Sequence, residues 1–208
     1  MSMKIVKNSQ GFTLIELIIS ISIIAMITGL FLADYKSSNQ KAVLNAAADQ
    51  LAGDLRLAQS YALGAKKNEK NDNTVPAGGW GIRLRSITPP NNSSYEIFAD
   101  SNSSGGSDQP QMYDGSDSIY RKNFLPGGDV NGLGKAPVVV ESMSGFTVNP
   151  NNVNSIVFLP PDPAVYFDGV NAGVSGAVAE IILNDTRTGN KKKVIVNAFG
   201  LIDVENAQ

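Results

Sequence analysis

Residues 7–17 read Lys7-Asn8-Ser9-Gln10-Gly11-Phe12-Thr13-Leu14-Ile15-Glu16-Leu17, a basic leader closed by a glycine and followed by an apolar run that holds one carboxylate. From Phe12 to Ala33 the chain continues as FTLIELIISISIIAMITGLFLA, 22 residues with a single charge. That length matches the roughly 20 residues a helix needs to cross a hydrocarbon core. Glu16 is the anomaly. A carboxylate at the bilayer centre costs about 2.5–3.5 kcal/mol, and less near the interface where Glu16 falls, so it is tolerable there but needs a reason. Two readings stand: a side chain snorkelling to the headgroups, or a carboxylate awaiting a partner.

Outward from this stretch, Met1 to Gly11 contains Lys4 and Lys7 and no acid. The positive-inside tendency then keeps the N-terminus cytoplasmic and sends the rest of the chain across the membrane. A secretory signal would be cut after its apolar region at an A-x-A-like site, whereas here the apolar core runs into Asp34-Tyr35-Lys36-Ser37-Ser38 without one. The apolar segment is therefore expected to be retained.

The run KNSQ-G-FTLIELIISISII resembles the class III signal of type IV prepilins and type II secretion pseudopilins. The resemblance implies cleavage by a membrane prepilin peptidase between Gly11 and Phe12 on the cytoplasmic side, followed by methylation of the new amine on Phe12. Glycine suits the position because a side chain would crowd a backbone lying extended in a protease cleft. Glu16 becomes the fifth residue of the mature chain. The resemblance implies that it pairs with a neighbouring subunit's N-terminal amine, acting mainly as a register device in an apolar filament core. Pairing within the subunit, at i, i+4 from Phe12, is the alternative that spacing leaves open.

Beyond the apolar run, residues 34–66 contain no proline, and Leu44, Ala48, Leu51, Leu55, Ala58 and Ala62 recur at steps of four and three. This is an apolar stripe along one helix face. The first proline is Pro76, so one continuous helix from Phe12 to about Lys66 is expected. The polar cluster 66–73 reads as its end.

The chain is then β-rich. Trp80-Gly81-Ile82-Arg83-Leu84-Arg85 alternates apolar and polar, and Tyr95-Glu96-Ile97-Phe98-Ala99 follows a Pro89-Pro90-Asn91-Asn92 turn, which predicts an antiparallel hairpin. Val138–Val140, Ser155–Leu159 and Val178–Leu183 are further strand candidates. A tight turn over 184–190 leads into Lys193-Val194-Ile195-Val196. The predicted class is α+β: a long N-terminal helix, membrane-spanning in its first half, packed on an antiparallel sheet. The expected divisions are a cleaved leader (1–11), a membrane and filament-core segment (12–33), an amphipathic helix (34–66) and a β-rich head (67–208). The motifs Leu55-Arg56-Leu57-Ala58-Gln59-Ser60-Tyr61-Ala62, Gly79-Trp80-Gly81 and Val194 to Gly200 resemble the GspH and FimT group of minor pseudopilins and minor pilins.

The sequence has no histidine and no cysteine. That removes the usual neutral-pH base, thiol catalysis and ordinary zinc sites, and an enzyme is not expected. Oxygen donors at Asp100, Asn102 and Asp108, with Gly105-Gly106 between them, resemble the first half of a calcium loop. An EF-hand would place a bidentate glutamate where Gln111 stands, so a solvated loop is the favoured reading over a structural calcium ion. No other cofactor is implied.

Removing the leader takes away Lys4 and Lys7, leaving 15 cations against 19 acids, a formal charge of −4. This balance disfavours a general nucleic-acid binder. Arg187 with Lys191, Lys192 and Lys193 is the one basic cluster and hence the one candidate nucleic-acid contact, but the tail from Asp203 to Glu205 is acidic. The expected role is a structural subunit of an envelope-spanning filament, either a type II secretion pseudopilus or a type IV pilus. It would be anchored in the lipid bilayer of the inner membrane with its head outside the cytoplasm. Its expected partners are the prepilin peptidase, other pilin or pseudopilin subunits and an inner-membrane assembly platform. The alternative is a minor tip pilin whose head binds DNA, a surface or calcium.

Overall fold

The computed structural model describes residues 11–70, 73–84, 91–101, 113, 117–124, 138–146, 154–159 and 164–207. The chain divides into two units, Met1–Asn39 and Gln40–Gln208, and one helix, α1 (Leu14–Leu63), contributes to both.

In the first unit, the stretch Leu14–Leu32 has a mean hydropathy of 2.4 and none of it is buried. Its hydroxyls turn back on the helix: Ser20, Ser22 and Thr28 donate to the carbonyls of Glu16, Ile18 and Ile24 at 2.7, 2.8 and 2.8 Å. Each polar group is thereby satisfied without water, as a helix in hydrocarbon requires.

In the second unit, the stripe Leu44, Ala48, Leu51, Leu55, Ala58 and Ala62 is buried along its whole length, joined by Ala47 and Ala52. This face of α1 shares its core with two sheets. The strands are β1 (Gly79–Leu84), β2 (Ser94–Asp100), β3 (Ser118–Phe124), β4 (Val138–Ser144), β5 (Asn154–Leu159), β6 (Ala164–Phe167), β7 (Val170–Asn171), β8 (Val178–Asp185), β9 (Lys191–Asn197) and β10 (Ile202–Ala207), with a short helix α2 (Ala172–Ser175) before β8. Where the sequence predicts one sheet, the structure has two, ordered β3-β2-β1-β5-β6-β7 and β10-β9-β8-β4. Every pairing is antiparallel. Trp80, Ile82, Tyr95, Ile97, Ile156 and Phe158 from the first sheet meet Val138, Ile181, Leu183, Val194 and Val196 from the second in one core with α1.

The predicted β1–β2 hairpin forms, with Trp80 opposite Ala99 and Arg83 opposite Glu96. Its alternation does not produce a wet face. Both strands are buried throughout, and Arg83 forms a buried ion pair with Glu96 while its guanidinium stacks on the Tyr113 ring at 3.6 Å. On the helix side, Tyr95 donates its hydroxyl to Asp54 at 2.6 Å, which brings that helical acid inside. Arg56 and Gln59, from the motif near the helix end, donate to the carbonyls of Ile202 and Gly200 at 2.9 and 3.1 Å. They tie α1 to the β9–β10 turn.

The helix ends earlier than Lys66. The Lys66 amide donates to Tyr61 and the Ala65 amide to Ala62, with Ala65 left-handed at φ 46°. This is the double-bonded C-terminal motif in which glycine ordinarily takes the left-handed position; here Gly64 falls one residue early. The strain in Ala65 gives a direct expectation. Ala65→Gly should raise the unfolding free energy of the 40–208 unit by about 1 kcal/mol in urea titration.

Strands β6 and β7, four and two residues long, are too short to show an alternating pattern in the sequence. Their connection, Asp168-Gly169 with φ 48° and 79°, is the Asp-Gly hairpin signal, so this turn could have been read from sequence. Asp168 does more than turn. Its Oδ1 accepts from the Ser155 amide at 2.7 Å and hydroxyl at 3.3 Å, and its Oδ2 is buried without a partner among the described residues. Burial pushes its carboxyl up to about 6, against the opposing Ser155 bonds. A folded value above the unfolded one means the folded state holds the extra proton, so stability must fall as pH rises from about 4 to about 6. Two units correspond to about 3 kcal/mol, which solvent screening at the turn reduces to about 1–2 kcal/mol. Denaturant titrations at pH 4.5 and 7 should show this slope, and Asp168→Asn should flatten it.

Candidate functional site

The N-terminal end of α1 is built by four residues. Thr13 precedes the first helical residue. Its hydroxyl oxygen accepts from the Glu16 amide at 3.3 Å, and its own amide and hydroxyl donate to Glu16 Oε2 at 3.3 and 3.2 Å. Thr13-Leu14-Ile15-Glu16 is thus a reciprocal capping box, the T-x-x-E pattern. The pattern is visible in the sequence, but the apolar run draws attention to the charge rather than to the threonine three residues before it. The sequence offers this carboxylate the headgroups, a neighbouring subunit's amine or the amine of its own Phe12. Among the described residues its partner is Thr13.

This arrangement gives Glu16 a low-energy resting place at the positive end of the helix, with its charge favoured by the macrodipole. The bonds are long and exposed, so a stronger donor can displace them. A charge-assisted bond from an ammonium group is roughly twice as strong as one from a neutral hydroxyl or amide. Gly11 and Phe12 lie immediately before the cap and are exposed, Phe12 by 82%, so the bond between them is accessible in the isolated chain.

The basic cluster near the C-terminus is not a uniform positive surface. Asp185, fully buried at the end of β8, accepts from Arg187 through both oxygens at 3.0 and 2.9 Å. Burial alone would raise the Asp185 carboxyl, but the Arg187 side-chain and backbone bonds outweigh it and hold it below the usual carboxylate range. Lys193 lies between Glu180 at 3.0 Å and Glu205 at 3.8 Å, and its bond to Glu180 raises its pKa. Lys191 pairs with Glu141 at 2.9 Å. Lys192, on the other side of β9, makes no ion pair among the described residues.

Of the calcium candidates, Asp100 is fully buried at the end of β2 against Gly78; Asn102 and Asp108 lie outside the described residues. Among the described residues no three His, Cys, Asp or Glu side chains are grouped to hold a metal.

An exposed apolar helix segment long enough to cross a membrane, capped at its start and followed by an antiparallel β head, is a pilin-like α+β fold. Residues 6–32 match the prokaryotic N-terminal methylation motif, and the chain therefore carries the class III signal of type IV pilins and pseudopilins. Neither curated proteins nor solved structures give a match to the chain.

Proposed function

We propose that this chain is a non-enzymatic structural subunit of an envelope-spanning filament, a type II secretion pseudopilus or a type IV pilus. The observation that carries the reading is the methylation motif over 6–32 coinciding with a helical stretch, Leu14–Leu32, of which none is buried among the described residues. Such a surface needs lipid before assembly and neighbouring helices after it.

The precursor is anchored with Lys4 and Lys7 on the cytoplasmic side. The prepilin peptidase cuts after Gly11, and methylation of Phe12 leaves a cationic amine at the helix tip. Glu16 waits in its capping box, and a neighbouring subunit's amine draws it away from Thr13. An unpaired charge in the apolar filament core is strongly disfavoured, so each subunit stops sliding where amine and carboxylate meet. The pairing of Arg187, Lys191 and Lys193 with carboxylates supports this structural role over capture of nucleic acid by the head.

The intact mass of the protein recovered from cell envelopes tests the processing step. A mature chain beginning at Phe12 with one added methyl group is expected, and a mass that still includes Met1–Gly11 would overturn it. Mass spectrometry of sheared filaments then separates a shaft subunit, abundant there, from a pseudopilin retained in the envelope.

A further inference from the structure

The start of α1 in the 40–208 unit, the β8–β9 turn and the end of β10 enclose an open groove of about 500 Å³. Lys41 and Asn45 line it from the helix, Asn190, Lys191 and Lys192 from the turn and β9, and Asn206 from β10, over Leu44 as an apolar floor. Among the described residues no carboxylate lines it. This is unusual for a chain with more acids than bases, in which Arg187, Lys191 and Lys193 are each matched by an acid. Glu141, the partner of Lys191, lies outside the groove lining. Among the described residues Lys41 and Lys192 form no ion pair.

We infer that this groove binds a phosphate-bearing anion. Lys41 and Lys192 supply the charge, Lys191 is shared with Glu141, and the side-chain amides of Asn45, Asn190 and Asn206 supply neutral donors around them, while the Gly189 amide is held by the Asp185 carbonyl at 2.7 Å. Lysine binds phosphate as a point charge with three rotatable donors, which suits an open site that does not impose one orientation. The groove is too exposed to enclose a whole ligand, so it fits a headgroup or a free ion. Lys41 stands nine positions after Leu32, the last residue of the apolar span. Phosphate on an anionic lipid and phosphate from solution are therefore the two available sources. The lipid source rests on the membrane anchoring proposed above; the free-ion source does not.

Hydrogen exchange of residues 186–193 in the full-length mature chain distinguishes them. The chain is placed in nanodiscs of phosphatidylcholine alone or with phosphatidylglycerol, and the phosphatidylcholine sample is titrated with inorganic phosphate against chloride at equal ionic strength. Slower exchange with phosphatidylglycerol assigns the lipid headgroup. Slowing that saturates with inorganic phosphate, as 1 + [L]/Kd, assigns the free ion. In either case the double variant Lys41→Gln/Lys192→Gln should lose the protection and Lys67→Gln, exposed and outside the groove, should keep it. No slowing in any arm, or slowing unchanged in the double variant, overturns the site. Recovery of the chain in the nanodisc fraction reports anchoring separately, so a failed anchor is not mistaken for an empty groove.

Discussion

Glu16→Ala is expected to abolish incorporation into filaments while leaving cleavage, methylation and the folded 40–208 unit unchanged. The substitution removes two things at once: the capping box with Thr13 and the charge proposed to set register. Loss of the cap costs about 1 kcal/mol at a helix end, and it falls in the 1–39 unit, apart from the packed core of the other. Loss of the charge removes the term proposed to make one axial position better than its neighbours. Two further variants separate these effects. Glu16→Gln keeps the capping geometry, since glutamine serves in this box, but has no charge, and it should fail to assemble. Thr13→Ala keeps the charge and loses the cap, and it should still form filaments. Sheared-filament yield with all three processed to the same mature N-terminus reads the result. Assembly of Glu16→Gln at the unsubstituted level would remove the register mechanism.

The largest stability effect is expected at the buried pair Arg83–Glu96. Their side chains are 7% and 2% exposed, and they are directly opposed across β1 and β2. Removing one partner of a buried ion pair leaves an uncompensated charge and costs about 3–5 kcal/mol, a large part of the 5–15 kcal/mol that holds a domain folded. Glu96→Ala should therefore lower the urea midpoint of the 40–208 unit severely, and Arg83→Ala should do so too, with added loss of the stack on Tyr113. The double variant Arg83→Met/Glu96→Leu should recover most of the loss, because it removes the charges and keeps the volume. If the double variant is as unstable as either single one, the cost lies in packing rather than charge.

The two variants fall on opposite sides of what the sequence shows. Glu16 is legible because its surroundings are local: a membrane-length apolar run makes any charge stand out, and Gly11, Thr13 and Glu16 lie within one turn and a half of helix. The amphipathic stripe from Leu44 to Ala62 is legible for the same reason, since helical period is a short-range property, and every residue of it is buried. The β1–β2 hairpin and the 184–190 turn follow from alternation and turn residues close in sequence.

Arg83 and Glu96 look in the sequence like residues of a solvated strand face. Only the register of β1 on β2, with Tyr113 laid over the guanidinium, makes them an internal pair. The Arg187 and Lys191–Lys193 cluster likewise reads as a positive patch until β4, β8 and β10 bring Glu141, Glu180 and Glu205 beside it. The lysines in the groove are 150 positions apart in the chain, so no local pattern could join Lys41 to Lys191.

The sequence by itself determined the N-terminal end of this protein, its membrane-length apolar run, class III signal and anomalous carboxylate, together with the helix that carries its head. Those features depend on composition and on spacing within a few turns. The tertiary structure decided how the head divides into two sheets, which charges are buried and cancelled, and which are left facing a groove. Strand register joins residues far apart in the chain, Trp80 to Phe158 among them, and the energy of a charge is set by what the fold places next to it.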